Sequence, residues 1–430
     1  FIRLPAHAGI DRIGVGTRPG AFTQRRFAMP RALKLFLHRL QLLALQITIS
    51  VMSGRKPVLL AGPGSAMRLC GTVVELGARR VLIVTDAVLV KIGLIAPLAQ
   101  ALEAAGAACA VYDGVEPDPT HAQIEAGIAL AREHRADAVL AVGGGSPMDA
   151  AKVIAACVGN NCRVADVVGN FKVKKAPLPV YAVPTTAGTG SEVTAVAVVT
   201  DTAARAKTPV VDGKLVPVMA ALDASLMTGL PRAVTAATGM DALTHAVESY
   251  ISGFANAETR PLSVAAVRLI FANLGKVCAN GADLEARQAM ALASTYAGFA
   301  FTRASVGYVH AIAHNLGGLY HTPHGLANAI VLPHVLDFSR DAAARQLAEL
   351  TVEIGAATSA EPVAVRAQRF IDRLRALARE TGIPETLDTL RAADIPVIAR
   401  RAMDEAQGFY PVPRFMVQSE CEALLAKLLP

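Results

Sequence analysis

No C-x-x-C pair and no dense cysteine array occur in this 430-residue chain; its six cysteines, at 70, 109, 157, 162, 278 and 421, are scattered. That pattern excludes a disulfide-stapled secreted domain and suits reduced thiols in a cytoplasmic protein. Long apolar runs are also missing. The best stretch, Leu33 to Met52, is broken by Lys34, His38, Arg39, Gln41 and Gln46, so no segment reaches the roughly 18 to 20 residues that a membrane span needs, and a soluble body is expected. Internal repeats and low-complexity tracts are absent. What remains is 53% apolar and 18% charged residues with 34 Gly and 24 Pro, a globular composition long enough for two domains with full cores.

Acidic residues are nearly missing from one place, residues 1–56, where ten Lys/Arg stand against Asp11 alone. Because the whole chain carries only +7, everything after residue 56 is slightly acidic, which excludes a basic nucleic-acid groove in the body. The Arg-rich stretch is expected to lie outside the fold, either upstream of a start at Met52 or as a targeting segment.

From Pro57 the chain alternates two kinds of pattern. Val81–Thr85, Ala138–Val142 and Val180–Val183 are compact β-prone runs, as in buried parallel strands. Between them, Leu94–Ala105 and Thr120–Glu133 place apolar residues at helical spacing. The alternation predicts a parallel sheet with helices on both faces over residues 57–231. After Leu230-Pro231 strand signals largely stop, and residues 232–430 read as successive helices.

Gly143-Gly144-Gly145-Ser146-Pro147-Met148-Asp149 follows one of these strands and opens a helix expected over Asp149–Cys157. Three glycines allow a tight turn and close ligand approach, and a helix start offers free N–H groups to an anion. Ser146 suits the N-cap, Pro147 the first helical position and Asp149 the capping box. It is not the G-x-G-x-x-G fingerprint. At the end of an earlier strand Asp86 can accept from a ribose 2′-hydroxyl and repel a 2′-phosphate, favouring NAD over NADP; without that role it is a helix cap. A second polar loop, Pro184 to Glu192, offers the hydroxyls of Thr185, Thr186 and Thr189 to a nucleotide, or else satisfies its own backbone.

Asp241 and His245, four apart in a helical pattern, leave one helix face together. His310 and His314 repeat the spacing, and His324 follows. Such a set in an apolar segment points to a divalent metal: Fe(II), Zn(II), Mn(II) or Co(II) rather than Mg(II) or Ca(II). An ion beside a nicotinamide suits polarisation of a carbinol oxygen with hydride transfer.

With GGGSPMDAAK, PTTAGTGSEVT, GMDALTHAVE and VHAIAHNLGGLYHTPHGLANAI in this order, the chain from Pro57 onward resembles the iron-containing (group III) alcohol dehydrogenases, related in fold to dehydroquinate synthase. The resemblance implies a Rossmann-like α/β domain, an all-α C-terminal domain and an active site between them. It implies metal ligation by Asp241, His245, His310 and His324, with His314 beside substrate and nicotinamide. It implies that Asp86, Gly144, Gly145, Ser146, Thr185, Thr186, Thr194 and Lys207 hold NAD(H), with Asp149 and Thr189 in the same two motifs. Asp118, in EPDPT, replaces the family's usual Asn, in a turn expected to contact cofactor. The activity implied is interconversion of a small primary alcohol or diol and its aldehyde by a cytoplasmic homodimer with Fe(II), Zn(II) accepting the same ligands. The alternatives are a hydroxyacid-oxoacid transhydrogenase with retained cofactor, a metal-dependent lyase on the same fold, and a nucleotide sensor without catalysis.

Overall fold

The computed structural model describes residues 40–42, 46, 55–202 and 206–430. The expectations for residues 1–56 therefore fall almost wholly outside the described residues. Six strands, β1 (Val58–Ala61), β2 (Arg80–Val84), β3 (Ala108–Tyr112), β4 (Ala138–Gly143), β6 (Val180–Pro184) and β9 (Met219–Leu222), form an all-parallel sheet in the order β1-β9-β6-β4-β2-β3. Along β2, Val81 and Ile83 face a core shared with Leu69, Val73, Leu98 and Leu102 of helices α1 (Ser65–Glu75) and α2 (Ile95–Ala104). Leu82 and Val84 face the opposite core, with Ile124, Ile128, Val153 and Ile154 of α3 (His121–Glu133) and α4 (Gly145–Asn160). Side chains alternate across a strand, so burial on both faces requires the unbroken apolar runs seen in the sequence.

A second, three-stranded sheet was not legible. It has the order β5-β8-β7, with β5 (Gly169–Asn170), β7 (Val196–Asp201) and β8 (Ala206–Val211), and β7 and β8 pair antiparallel. Pro209 within β8 reads against a strand. It is accommodated because β5 pairs with β8 only at Val210 and Val211, beyond the proline.

After Pro231 the α-helices are α5 (Arg232–Ile251), α6 (Thr259–Ala279), α7 (Leu284–Ala304), α8 (Tyr308–Tyr320), α9 (His324–Ser339), α10 (Ala344–Glu353), α11 (Val363–Thr381), α12 (Ile395–Phe409) and α13 (Gln418–Leu425). Pro231 sits at the N-cap of α5, where its missing N–H is harmless. Helix α5 is buried nearly all round, which places its polar residues Asp241, His245 and Glu248 inside the protein. Among the described residues one helix, α6, is long and apolar enough to cross a membrane. Ala266, Val267, Ile270 and Leu274 on it are fully buried in the helical core.

Candidate active site

Three helices bring the metal-ligand types together. Asp241 and His245 leave one face of α5, His310 lies on α8, and His324 opens α9; their ligand atoms all lie within 4.8 Å of one another. Burial alone would raise the Asp241 carboxyl, but the three histidines and the Asn328 amide pull it below the ordinary carboxylate range. Burial and neighbouring groups push His310 and His324 well below the usual imidazole value. The set thus offers one carboxylate and three imidazoles, and His245 Nδ1 is buried without a hydrogen-bond partner. Those donors fit a divalent transition ion.

Neighbours fix these side chains in place. His310 Nδ1–H donates to Glu248 Oε2 at 2.6 Å, leaving Nε2 for the cluster. Glu248 itself accepts the Gly307 and Val309 N–H groups, each at 2.8 Å, although burial pushes its carboxyl up to about 7. A carboxylate behind a ligating histidine fixes ring orientation and tautomer. Asn328 Nδ2 donates to Asp241 Oδ1 at 2.6 Å and lies 3.1 Å from His324 Nε2. Phe301 stacks on His245, ring centroids 4.3 Å apart, and screens that face from water.

His314 stands one turn beyond His310, outside the four-ligand cluster. Its ring stacks on His324, centroids 5.3 Å apart, and its Nδ1 lies 2.7 Å from Glu405 Oε1 on α12. The Tyr410 hydroxyl donates to the same oxygen at 2.7 Å, and burial together with Glu405 holds that phenol well above its usual range.

At the carboxyl ends of the parallel strands the two polar loops meet. A methyl group on Gly144 would lie 3.3 Å from Thr186 Oγ1, and one on Gly145 only 2.8 Å from Thr189 Cγ2. The Thr185 N–H donates to Gly143 O at 2.9 Å, continuing the pairing of β4 with β6. Asp86 ends the neighbouring β2 and caps the short helix Ala87–Lys91, Oδ1 accepting the Leu89 N–H at 3.0 Å. Lys207 Nζ pairs with Asp118 Oδ1 at 2.6 Å, and a methyl group on Gly317 of α8 would lie 3.5 Å from that nitrogen. Gly188 touches Thr238 of α5, one turn before Asp241.

The pattern of the iron-containing alcohol dehydrogenases matches residues 57–224, and that of the C-terminal part of the Fe-containing alcohol dehydrogenase family matches residues 235–429. The chain belongs to the iron-containing alcohol dehydrogenase family. It is 38% identical to the NAD-dependent methanol dehydrogenase of Bacillus methanolicus over 351 residues, 81% of this chain and 92% of that protein. It is 39% identical to the lactaldehyde reductase of Escherichia coli (strain K12) over 349 residues, 80% and 91% of the two chains. The crystal structure of a 1,3-propanediol oxidoreductase superposes with a TM-score of 0.85 at 37% identity, covering 88% of this chain and 100% of that one. The protein is accordingly an oxidoreductase that interconverts alcohol and aldehyde.

Within this iron-containing alcohol dehydrogenase several sequence expectations need correction. The N-cap of α4 is Gly144, not Ser146, and the helix starts at Gly145 rather than Asp149. Asp149 forms no capping box: Oδ1 accepts from Ser191 Oγ at 2.7 Å and Oδ2 from the Val198 N–H at 2.8 Å. Those two donors outcompete the helix's own start. Thr194 is buried and accepts from Lys152 Nζ at 3.0 Å, so Asp149 and Thr194 are engaged inside the fold rather than in the turn facing Thr186 and Thr189. Sequence reading missed Glu248, Asn328, Glu405 and Tyr410. Glu248 three residues after His245 and Asn328 four after His324 share faces with those histidines, a usable signal. Glu405 lies 91 residues from His314 and had none.

Proposed function

We propose that this enzyme works on small primary alcohols or diols and their aldehydes, with NAD(H) as hydride carrier and Fe(II), or Zn(II), held by Asp241, His245, His310 and His324. The observation that carries this reading is adjacency: the loop facing the glycine turn also touches α5 one turn from Asp241. A nucleotide at one end of that loop and a metal at the other would share one cleft. When bound, the ion supplies Lewis-acid polarisation of the alcohol or carbonyl oxygen, worth several kcal/mol, and the nicotinamide supplies the hydride chemistry.

The chain's own residues hold and orient. Glu248 keeps the proton on His310 Nδ1, and Asn328 holds Asp241 Oδ1. Glu405, anchored by Tyr410, fixes His314 with its Nδ1 occupied, leaving Nε2 as the basic atom for the proton of the alcohol. Asp86 would accept from a ribose hydroxyl, and Lys207, paired with Asp118, would stand beside the cofactor near α8. The six free cysteines suit a cytoplasmic setting, and a two-fold homodimer is the assembly this reading includes.

The test is anaerobic NADH oxidation by the purified protein with lactaldehyde, glycolaldehyde, propanal and butanal, before and after chelation and with Fe(II) or Zn(II) restored. Activity that vanishes with the chelator and returns with one metal is the expected result. Tight NADH binding without turnover on any aldehyde would replace the reading with a transhydrogenase that retains its cofactor. Asp86→Gly is expected to shift the NADPH-to-NADH ratio of kcat/KM toward NADPH by roughly tenfold, a change of about 1.4 kcal/mol. Glycine costs an N-cap only a few tenths of a kcal/mol, so an unchanged ratio removes Asp86 from the ribose role.

A further inference from the structure

Lys152, in the middle of α4, has no exposed surface. Its ammonium has three protons and meets three acceptors: Ser191 Oγ at 2.8 Å, Thr194 Oγ1 at 3.0 Å and Val196 O at 2.8 Å. All three belong to the end of the second polar loop and the strand that follows it. Ser191 Oγ in turn donates a hydrogen bond to Asp149, one turn before Lys152, and Asp149 also accepts the Val198 N–H. One helix therefore grips the loop through a cation and an anion at once. A satisfied buried charge of this kind is strongly destabilising to break and specifies geometry more than it adds stability.

The far side of the same loop is held by the helical half. Gly190, at φ +62°, abuts Gly298 of α7, with no room for a side chain on either residue: a methyl group on Gly190 would lie 2.7 Å from the Gly298 Cα. Glu192, also buried, accepts from Thr295 Oγ1 of α7 at 2.7 Å. Burial pushes Asp149 and Glu192 up and pulls Lys152 down to about 8, each opposed by the other charges of the group. The loop is thus clamped on both sides, and two of its residues, Thr186 and Thr189, are the ones pressed against Gly144 and Gly145.

We propose that Lys152 is a positioning residue for the dinucleotide: by gripping Ser191 and Thr194 it holds the 184–194 loop at the spacing from the glycine turn that a pyrophosphate and its ribose require. The proposal rests on the reading of that turn as the NAD(H) site. Lys152 touches no reacting atom, and its effect is on cofactor affinity rather than on the metal centre.

The experiment titrates NADH into wild type, Lys152→Met and Ser191→Ala, following cofactor fluorescence, with metal content and steady-state kinetics measured on the same preparations. Lys152→Met is expected to weaken NADH binding and raise its KM at least tenfold, with metal content unchanged and kcat at saturating NADH within about threefold. Ser191→Ala, which deletes only the hydroxyl bridging Lys152 and Asp149, should move NADH affinity about threefold in the same direction. A merely structural lysine would lower melting temperature, metal content and kcat together without separating KM from kcat, and that result overturns the proposal. If Lys152→Met does not fold, unaltered NADH affinity in Ser191→Ala overturns it. Failure of wild type to bind NADH is a separate result that overturns the reading of the turn itself.

Discussion

Asp241→Ala is expected to empty the metal site and reduce aldehyde reduction by about a thousandfold or more, while NADH binding changes less than threefold. The magnitude follows from charge and geometry. Asp241 is the only carboxylate among the four proposed ligand residues, its carboxylate lies within 4.8 Å of the nitrogens of three imidazoles, and they pull its pKa down. Removing it takes away the one carboxylate that would face the cation and leaves imidazole donors only. Losing roughly 4 kcal/mol of Lewis-acid stabilisation corresponds to about three orders of magnitude in rate. NADH binding should survive because none of the hydrogen bonds that shape the glycine turn and the 184–194 loop involves Asp241. Metal analysis, NADH titration and kinetics on one preparation decide the matter, with chelated wild type as the reference. Full activity in a metal-free Asp241→Ala protein would sink the metal assignment.

The same residue shows which parts of the site the sequence could carry. Asp241 and His245 are four apart on one helix, and His310 and His324 lie fourteen apart in a short apolar segment, so local spacing was enough to group them. Helical periodicity converts directly into a shared face, and an apolar surrounding converts into burial. Three adjacent strands of the parallel sheet, β6, β4 and β2, were legible for the same reason, since they are buried and show it as unbroken apolar runs, whereas β1, β3 and β9 were not read. Pairings across long separations left no such trace. Glu405 comes to His314 only because α12 packs against α8, and an acid in MDEAQ looks like any exposed helical glutamate. Asp149 was misread through a local rule that is ordinarily sound: an acid near a helix start caps it, unless better donors arrive from elsewhere, here Ser191 and the Val198 N–H. The β7–β8 hairpin was hidden by Pro209, whose tolerance depends on how short β5 is. Local patterns thus supplied the Asp/His cluster and three strands of the main sheet, while the groups that orient the cluster are set by tertiary packing.

Gly145→Val is expected to do the reverse of Asp241→Ala: to weaken NADH binding by roughly a hundredfold or more while the metal content stays at the wild-type level. Even a methyl group at Gly145 would sit 2.8 Å from Thr189 Cγ2. Thr189 cannot simply swing aside, because it is β-branched and its Oγ1 accepts the Ser191 N–H at 3.2 Å, a bond to the same loop that Lys152 grips. The clash must therefore separate the glycine turn from the loop, opening the space in which both would contact the pyrophosphate. Charge-assisted hydrogen bonds contribute about 1.5 to 3 kcal/mol each, so losing two of them weakens binding by roughly a hundredfold or more. Gly145→Ala, with the smaller intrusion, should fall between wild type and the valine variant. The proposed metal ligands lie on α5, α8 and α9, beyond the loop, and a folded variant keeps them. NADH affinity unchanged in a metal-loaded Gly145→Val protein would mean that the turn is a structural feature and that the dinucleotide lies elsewhere. If Asp241→Ala loses the metal but keeps the nucleotide, and Gly145→Val loses the nucleotide but keeps the metal, catalysis requires both halves of one cleft, each assembled independently by its own part of the chain.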